Sequence, residues 1–365
     1  MNAPLDQNEA LRIGILGCAN IARQFTRDVA SSAMVRVVAA ASRNPETAAE
    51  FARTNAIGRH HGSYEALLSD PDVDVIYLPL PNSLHAEWAI KAAEAGKHVL
   101  CEKPLALGAG EAEAMFDAAR RHQVMLLEAY PYYFQPQTGA MLQLIRDGAI
   151  GSVQSVQACF GFRLANPQAN IRMKPELGGG ALLDAGSYAL SLIRLVMGCA
   201  PVRVQADATW AESGVDISMM ATLQYADGRR AQLSCAMDVA NMRGATIAGT
   251  DGTIETEFLN HTSTSVAGDA FGYLPSQLRV RRGTANTVPF ENIRSGVGSG
   301  FRFAAEAFAE VVGRRDFDAI ERAARASVDN AATLEALLKS ARSGQAVEVH
   351  SVQALADADD QLADG

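Results

Sequence analysis

The chain has 365 residues, 48% of them hydrophobic and 20% charged, which excludes a disordered chain and suits a folded protein of about two domains. Its 41 acidic residues outnumber the 32 basic ones, and the net charge of −9 without any basic block argues against nucleic acid as a partner. No apolar run approaches the ~20 residues that span a bilayer, and Met1–Gln7 lacks the features of a secretory signal, so we expect no membrane association.

The first part of the chain alternates short apolar segments with amphipathic ones. We predict strands at Leu11–Gly17, Val35–Ala41, Val73–Leu80, Val99–Cys101 and Val124–Glu128, separated by helices at Ile21–Ala30, Pro45–Thr54, Ser83–Ala95 and Gly110–His122. Strands that alternate with helices form right-handed crossovers, and hence a parallel sheet with helices on both faces. Residues 1–129 are therefore predicted to form a doubly wound α/β domain of the Rossmann type.

After Tyr130 the pattern changes to strands separated by turn signals such as Asp227-Gly228 and Asp251-Gly252, which favour hairpins. The predicted helices are Pro136–Asp147, Gly180–Met197, Phe301–Val312 and Ala319–Ser340, and the predicted strands are Val153–Phe160, Val202–Trp210, Asp216–Tyr225, Arg229–Met237 and Thr246–Gly249. We therefore predict a second, α+β domain at 130–345 with an open, mainly antiparallel sheet on which the last two helices pack. A long loop is expected between Gly268 and Gly300, and a tail at 346–365.

The first predicted strand ends at a turn that leads directly into a helix. Gly17 supplies the tight turn of a dinucleotide-binding fingerprint, whereas Ala19 and Ala22 occupy the positions of the second and third glycines. The cofactor pyrophosphate would lie at Ala19, Asn20 and Ile21, where the N–H groups and the dipole of the helix attract anions. An ordinary strand-to-helix turn also favours glycine, so the prediction depends on the position of this motif in the first βαβ unit.

The residues after the second predicted strand indicate which dinucleotide is bound. A protein that prefers NAD carries an acid there, which holds the 2′-hydroxyl of the ribose. This sequence instead has Ser42, which can donate a hydrogen bond, and Arg43, which can pair with a 2′-phosphate. A solvated arginine is the alternative interpretation, but the missing acid favours NADP.

Two separate segments carry residue types suited to proton transfer. Lys103, within Glu102-Lys103-Pro104, follows a predicted strand at the carboxyl edge of the sheet, where open α/β domains bind ligands. Asp184 and Tyr188 lie four residues apart on a predicted helix after Gly178–Gly180, so both project from one face. A loop lysine that is merely solvated and a polar stripe on a half-exposed helix are the alternatives. Together the three side chains form a usable proton-transfer set.

These segments occur in the order found in the Gfo/Idh/MocA oxidoreductases, and the chain resembles that family from roughly Leu11 to Leu338. Glu-Lys-Pro after a strand, followed downstream by an aspartate and then a histidine or tyrosine four residues later, is the specific part of the resemblance. A tyrosine at position 188 resembles the branch of the family that contains glucose–fructose oxidoreductase, NADP-dependent D-xylose dehydrogenase and aldose–aldose oxidoreductase. The resemblance implies NADP, a sugar-like substrate and a homodimer formed through the open sheet of the second domain.

The resemblance also implies roles for individual residues. Lys103 is similar to the family's catalytic lysine, and Asp184 and Tyr188 are similar to its substrate-orienting and acid–base groups. With the turn and strand-end residues above, the expected cofactor contacts are Gly17, Ala19, Asn20, Ile21, Ser42, Arg43, Asn82, His85, Glu102 and Pro104. The expected sugar-pocket residues are Tyr130, Tyr132, Tyr133 and Arg172.

The expected reaction is oxidation of the C1 hydroxyl of a cyclic aldose to a lactone, with hydride transfer to NADP. Reduction of a second aldose to an alditol on a retained cofactor would be its coupled form. Two alternatives stay open: oxidation of trans-dihydrodiols, and a non-catalytic NADP-binding sensor on the same fold.

Histidine and cysteine usage bears on metals and on location. The seven histidines show no metal-ligand spacing, and the five cysteines are scattered without a CxxC pair, so we expect no metal centre. The same cysteine pattern argues against a disulfide framework and favours the reducing cytoplasm.

Overall fold

The computed structural model describes residues 10–258, 260–262 and 274–350. This part of the chain divides into two compact units. The first unit consists of the described residues of Met1–Ala106, Gly110–Phe134 and Ser299–Ala324, and the second unit contains the other described residues. The predicted fold class is confirmed, because one unit is built on a parallel sheet and the other on a mainly antiparallel one.

The first unit contains a six-stranded parallel sheet in the order β3-β2-β1-β4-β5-β6. Its strands are β1 Leu11–Leu16, β2 Val35–Ala41, β3 Arg59–His61, β4 Val75–Leu78, β5 His98–Glu102 and β6 Leu126–Ala129. Except in β3, their sequences are nearly all apolar and are buried on both faces, as expected for a sheet covered by helices on both sides. Strand β3 was not predicted, because its three residues are polar and give no apolar signal in the sequence.

Five helices connect these strands: α1 Asn20–Val29, α2 Pro45–Thr54, α3 Tyr64–Leu68, α4 His85–Glu94 and α5 Ala109–Arg121. Side-chain caps explain two of the helix starts. Asn44 accepts the N–H of Thr47 at 2.9 Å before α2, and Ser63 accepts the N–H of Ala66 at 3.1 Å before α3. The four long helices match the predicted ones to within a few residues.

The second unit is built on a nine-stranded sheet in the order β15-β14-β12-β11-β7-β10-β9-β8-β17. Only the β7–β10 pair is parallel among the described pairs of this sheet. Its strands, with the short pair β13 and β16, are β7 Val153–Arg163, β8 Arg203–Trp210, β9 Asp216–Gln224, β10 Arg230–Ala236, β11 Asp238–Gly249, β12 Gly252–Thr256, β13 His261–Thr262, β14 Leu278–Arg282, β15 Glu291–Ile293, β16 Gly298–Ser299 and β17 Val347–Glu348.

The rest of the described chain contains four further helices: α6 Pro136–Arg146, α7 Ser187–Met197, α8 Gly300–Arg314 and α9 Phe317–Ser343. A π-helical turn, Leu182–Gly186, directly precedes α7. Such turns insert an extra residue into a helix and occur frequently at functional sites. The predicted helix Gly180–Met197 therefore exists, with a change of helical geometry at the position of Asp184.

The predicted location of α8 is wrong. Phe301 and Phe308 of this helix lie in the core of the first unit, where Phe301 meets Phe25 edge-on at 6.4 Å between ring centroids. Phe25 in turn stacks on Tyr77 at 3.9 Å. Helix α9 does reach the antiparallel sheet, because Ser340 accepts the N–H of Ala206 on β8 at 3.0 Å. The domain limits differ accordingly, since the first unit extends to Phe134 and takes up residues 299–324.

The predicted long loop and tail also change where the structure describes them. Residues 278–293 contain β14 and β15, which extend the antiparallel sheet through β12. The predicted tail begins with β17, whose Val347 pairs with Val204 of β8. The rest of the predicted tail and part of the loop lie outside the described residues.

One segment, Pro175–Met197, is long and apolar enough to cross a membrane by length and composition. In its most apolar window of 18 residues, 83% are buried inside the protein. The core helix of a soluble protein has the same properties.

His98, at the start of β5, should make the free energy of unfolding depend on pH. Its Nδ1 accepts the N–H of Met125 at 2.9 Å, and burial lowers the pKa of His98 to about 4. Between pH 6.5 and 4 the unfolded chain therefore binds a proton that the folded chain does not, so stability falls as the pH falls through this window. The expected loss is about 1.4 kcal/mol per pH unit within it.

The variant His98→Asn keeps an acceptor but cannot take up a proton. Urea unfolding at pH 7 and pH 5 should show a smaller loss of stability for this variant than for the wild type. The exposed His122, replaced in the same way, should leave the loss unchanged. Equal losses in the wild type and His98→Asn would show that another group titrates.

Candidate active site

The Glu-Lys-Pro segment begins at the last residue of β5. The carboxylate of Glu102 is buried and accepts the hydroxyl of Tyr77, on β4, at 2.5 Å. Lys103 follows at once, and the peptide bond between Lys103 and Pro104 is cis. The lysine therefore lies at the carboxyl edge of the parallel sheet, where ligands of this kind of domain bind.

His85 connects this segment to the loop after β4. Its Nδ1 lies 2.9 Å from the carbonyl of Pro104, and its Nε2 lies 2.9 Å from the carbonyl of Leu80. The imidazole is fully buried, and burial lowers its pKa, as does the positive charge of Lys103 to a smaller extent. The imidazole therefore contacts the backbone of both segments. It holds the two loops on which the cofactor contacts were predicted.

Glu128, on β6, was not predicted as a site residue. Its buried carboxylate accepts a hydrogen bond, 2.8 Å long, from the N–H of Leu105, the residue directly after Pro104. Both Glu102 and Glu128 lie close to Cys101, whose thiol pKa is raised by burial first and by these two charges second. An acid at the end of an otherwise apolar strand was the available signal in the sequence. Side chains from β4, β5, β6 and α4 thus fix the backbone on both sides of Lys103.

The glycine turn has the geometry that a dinucleotide requires. Gly17 adopts a φ of +118°, and a Cβ at this position would lie 2.7 Å from Cδ2 of Leu80, so only glycine fits. Ala19 is the residue before α1, and its methyl group cannot accept a hydrogen bond from the first N–H groups of that helix. The start of α1, at Asn20 and Ile21, can therefore offer its N–H groups to a pyrophosphate, and these residues fit the cofactor.

Ser42 and Arg43 lie where the sequence predicted, immediately after β2. The N–H of Ser42 donates to the carbonyl of His61 at 3.2 Å, and its hydroxyl accepts the N–H of Asn44 at 3.2 Å. The exposed Arg43 donates a hydrogen bond to the hydroxyl of Tyr64 and lowers its pKa against the stronger effect of burial. A guanidinium thus stands at the strand end in place of an acid.

Arg23, on α1, is a second cation near this position that the prediction missed. Its guanidinium lies over the ring of Phe51 at 5.2 Å. Its charge also lowers the pKa of Cys18, which burial raises to about 11. Cys18 belongs to the glycine turn, so Arg23 adds positive charge beside the predicted nucleotide site.

Asp184 lies on the π-helical turn and forms an ion pair with Arg172. The Nε of Arg172 is 2.6 Å from Oδ2 of Asp184, and an Nη atom is 3.3 Å from Oδ1. Arg172 was predicted as a partner of a sugar hydroxyl. The structure places its guanidinium on Asp184, and this pairing fixes the direction of that carboxylate.

Tyr188 lies one helical turn after Asp184, in the first turn of α7. Its ring is 7% exposed and stacks on Phe160 with centroids 4.6 Å apart. The side-chain amide of Asn260 donates to its hydroxyl at 3.3 Å, and the tyrosine interacts electrostatically with Arg172. Asp184 and Tyr188 therefore share a cation and face the same side of the helix. Asn260 is a further residue that sequence spacing could not reveal.

The three predicted tyrosines after β6 have different environments. Tyr130 and Tyr132 are buried and meet at 6.1 Å with their rings near perpendicular. Tyr133 is 42% exposed and lies 5.3 Å from the ring of Phe134. Asn82 begins a short 3₁₀ turn, Asn82–Leu84, that leads into α4. Among these residues, Tyr133 offers the largest accessible surface to a ligand.

Metal-ligating side chains do not cluster within residues 10–258, 260–262 and 274–350: no group of three or more His, Cys, Asp or Glu residues could hold an ion there.

A parallel nucleotide-binding sheet, a lysine at its carboxyl edge and a tyrosine–aspartate pair on a second domain define a two-domain oxidoreductase. A model of an oxidoreductase family with an NAD-binding Rossmann fold matches residues 11–130, and the GFO/IDH/MocA C-terminal domain matches residues 139–255. The chain belongs to the Gfo/Idh/MocA family, as its motifs indicated.

Known proteins resemble the chain over nearly its whole length. It is 35% identical over 344 residues to D-xylose 1-dehydrogenase (NADP(+)) 2 of Haloferax volcanii, which covers 93% of this chain and 100% of that relative. KijD10, a 3-ketoreductase from Actinomadura kijaniata in complex with NADP and TDP-benzene, is 29% identical with a TM-score of 0.78, over 91% and 98% of the two chains. The aldose-aldose oxidoreductase from Caulobacter crescentus is 26% identical with a TM-score of 0.77, over 93% and 100%.

Proposed function

We propose that the protein is an NADP-dependent oxidoreductase that oxidises the C1 hydroxyl of a cyclic aldose to a lactone. The observation that carries the proposal is the Tyr188 phenol, which shares the cation Arg172 with an aspartate one turn before it. The similarity to an NADP-dependent D-xylose dehydrogenase and to an aldose-aldose oxidoreductase supports a sugar substrate.

The chemistry assigns a separate task to each side chain. Removing hydride from C1 requires removal of the proton from its hydroxyl, and NADP when bound accepts the hydride. Tyr188 takes that proton, although a phenol with an ordinary pKa near 10 needs a stabilised phenolate to act at neutral pH. Lys103 supplies the positive charge by donating to the same hydroxyl, and Asp184 orients the sugar. The proposal therefore requires that Lys103 and Tyr188 reach one hydroxyl group.

The decisive experiment records the near-ultraviolet spectrum of the purified protein before and after addition of D-xylose or D-glucose, without added NADP. A rise of reduced-nicotinamide absorbance that decays when a second aldose is added supports the coupled reaction on a retained cofactor. Turnover that needs added NADP supports a dissociating dehydrogenase. In both cases the product should be a lactone, identified by NMR before it hydrolyses. Bound NADP without reduction by any aldose would contradict the proposal.

Two other functions are distinguished by the same assay. Turnover of a trans-dihydrodiol in preference to every aldose would identify a dihydrodiol dehydrogenase, because that reaction also needs only a carbinol beside the cofactor. Binding of NADP without turnover of either class would identify a sensor. The joint presence of Lys103, Asp184 and Tyr188 argues against a sensor, which has no need of a proton-transfer set.

We expect Arg43 to determine the preference of the protein for NADP over NAD. The variant Arg43→Ala should weaken NADP binding about 10- to 100-fold, because a hydrogen bond to a charged group contributes about 1.5–3 kcal/mol. NAD binding should change little, since NAD lacks the 2′-phosphate. Fluorescence titration of both nucleotides measures the two affinities. Arg36 is an exposed arginine on β2, the strand that Arg43 follows, and Arg36→Ala is the matched control. Equal weakening of NAD and NADP would assign Arg43 to the adenosine rather than to the phosphate.

The outer face of the nine-stranded sheet supports a homodimer. This face is concave, encloses about 1690 Å³ and is lined by β7 to β12, β14 and β15. Met220, a large apolar side chain on this face, is 72% exposed. We expect the face to be covered by a second copy of the chain. Sedimentation equilibrium should give twice the 38.7 kDa chain mass, and a monomer would contradict this.

A cytoplasmic location completes the proposal. All five cysteines lie within the described residues and are free thiols. Free thiols are typical of reducing compartments.

A further inference from the structure

Asp216, a buried carboxylate on β9, faces the turn that carries Asp184. It is the first residue of its strand and is 1% exposed. Its Oδ2 accepts the N–H of Leu182 at 2.6 Å, and the N–H of Ala181 donates to the same carboxylate. Burial raises the pKa of this carboxyl, and the donated N–H bonds act against the rise. The carboxylate thus binds the backbone at the start of the π-helical turn.

Gly180 shows how closely the carboxylate approaches this turn. Its φ is +118°, and a Cβ at this position would lie 2.1 Å from Oδ1 of Asp216. No side chain can occupy that space, so the approach requires glycine. The carbonyl of Gly180 accepts the N–H of Asp184 at 3.2 Å. A continuous path of contacts therefore leads from Asp216 to Asp184.

The carboxylate acts as a helix cap supplied from another strand. The first N–H groups of a helical segment lack partners within the segment. The methyl side chain of Ala181, the residue before the π-helical turn, cannot accept a hydrogen bond from these N–H groups. An anion at this position also interacts favourably with the positive end of the helix dipole. How these N–H groups are held decides the direction in which Asp184 and, one turn later, Tyr188 point.

We propose that Asp216 is a positioning residue: by binding the N–H groups of Ala181 and Leu182 it sets the rotation of the π-helical turn and so places Asp184 and Tyr188 against the substrate. The inference rests on the proposed function, because it assumes that these two side chains act on the sugar. Asp216 itself is buried and acts through the backbone alone.

The first test replaces one acceptor oxygen. Asp216→Asn keeps the size of the side chain but puts an NH₂ group, which cannot accept, where an oxygen stood. The value of kcat for the aldose should fall about 10²-fold, as expected for a small displacement of reacting groups, with NADP affinity unchanged. Glu212→Gln removes an exposed carboxylate from the turn just before β9 and should keep the wild-type kcat.

The second test needs no substrate. Amide hydrogen exchange at residues 181–184 should be faster in Asp216→Asn than in the wild type, while α7 stays protected and Glu212→Gln behaves as the wild type. If the wild type oxidises no aldose, the proposed function fails, and this exchange measurement still tests the Asp216 contact. If exchange changes but kcat does not, the contact exists and the positioning role is overturned.

Gly180→Ala covers the case in which Asp216→Asn does not fold. Its Cβ displaces the carboxylate while leaving Asp216 in place. A folded Gly180→Ala protein that binds NADP but has lost turnover supports the proposal. A wild-type kcat overturns it. Unfolding of both variants also overturns it, because the carboxylate would then serve the fold rather than the site.

Discussion

Replacing Tyr188 by Phe should lower kcat for aldose oxidation about 10³-fold, within the range for loss of a general base. The substitution removes the oxygen that takes the proton but keeps the ring that stacks on Phe160. The fold and the NADP affinity should therefore be unchanged. Steady-state rates with saturating NADP, together with a titration of the nucleotide, separate these quantities.

Tyr225→Phe is the matched control for this variant. Tyr225 lies in the same unit and is equally buried, and its hydroxyl has no hydrogen-bond partner among the described residues. Removal of that hydroxyl should leave kcat at the wild-type value. A Tyr188→Phe protein that turns over aldoses at the wild-type rate would show that another group accepts the proton.

Replacing Lys103 by Met should lower kcat about 10²-fold, the cost of removing one donor from a transition state. Methionine keeps most of the length of the side chain and loses its charge. Because a nearby cation favours a phenolate, the loss of the lysine should raise the pKa of the phenol that the proposed mechanism uses as the base. The pH at which kcat/KM reaches half its maximum should therefore move upward. The measurement is a pH–rate profile of the variant and the wild type.

Lys91→Met controls for the loss of a lysine in the same unit. Lys91 lies on α4, where it pairs with Glu87 at 2.5 Å on the surface, and such pairs contribute at most about 1 kcal/mol to stability. Its rate and pH profile should match the wild type. A Lys103→Met protein with a lower rate and an unshifted profile would mean that the lysine orients the substrate without stabilising the phenolate.

The parallel sheet was predictable because its signal is local. Strands such as Val35–Ala41 are apolar except for one residue, and helices such as Pro45–Thr54 carry their own caps, so both appear in the sequence with the observed limits. Strand β3 has no such signal, since Arg59–His61 is polar and short. Strands β14 and β15 are specified by pairing with β12 and with each other rather than by their own pattern.

The candidate site divides in the same way. Gly17, Lys103, Asp184 and Tyr188 could be predicted because each belongs to a motif with fixed spacing. Glu128 and Asp216 could not, because their partners are backbone N–H groups 23 and 34 positions away in the chain. Arg172 was predicted from the sequence as a sugar-pocket residue, but only the fold shows that its guanidinium pairs with Asp184. Sequence spacing thus does not reveal the residues, such as Glu128 and Asp216, that hold the backbone of the site in place.

The return of α8 to the core of the first unit limits how the protein can be divided. A fragment that stops at residue 134 would lack Phe301 and Phe308 and would expose the apolar surface around Phe25 that they cover. Such a fragment should aggregate when it is expressed alone. A soluble nucleotide-binding fragment would need residues 299–324 joined to it by a linker that replaces residues 135–298.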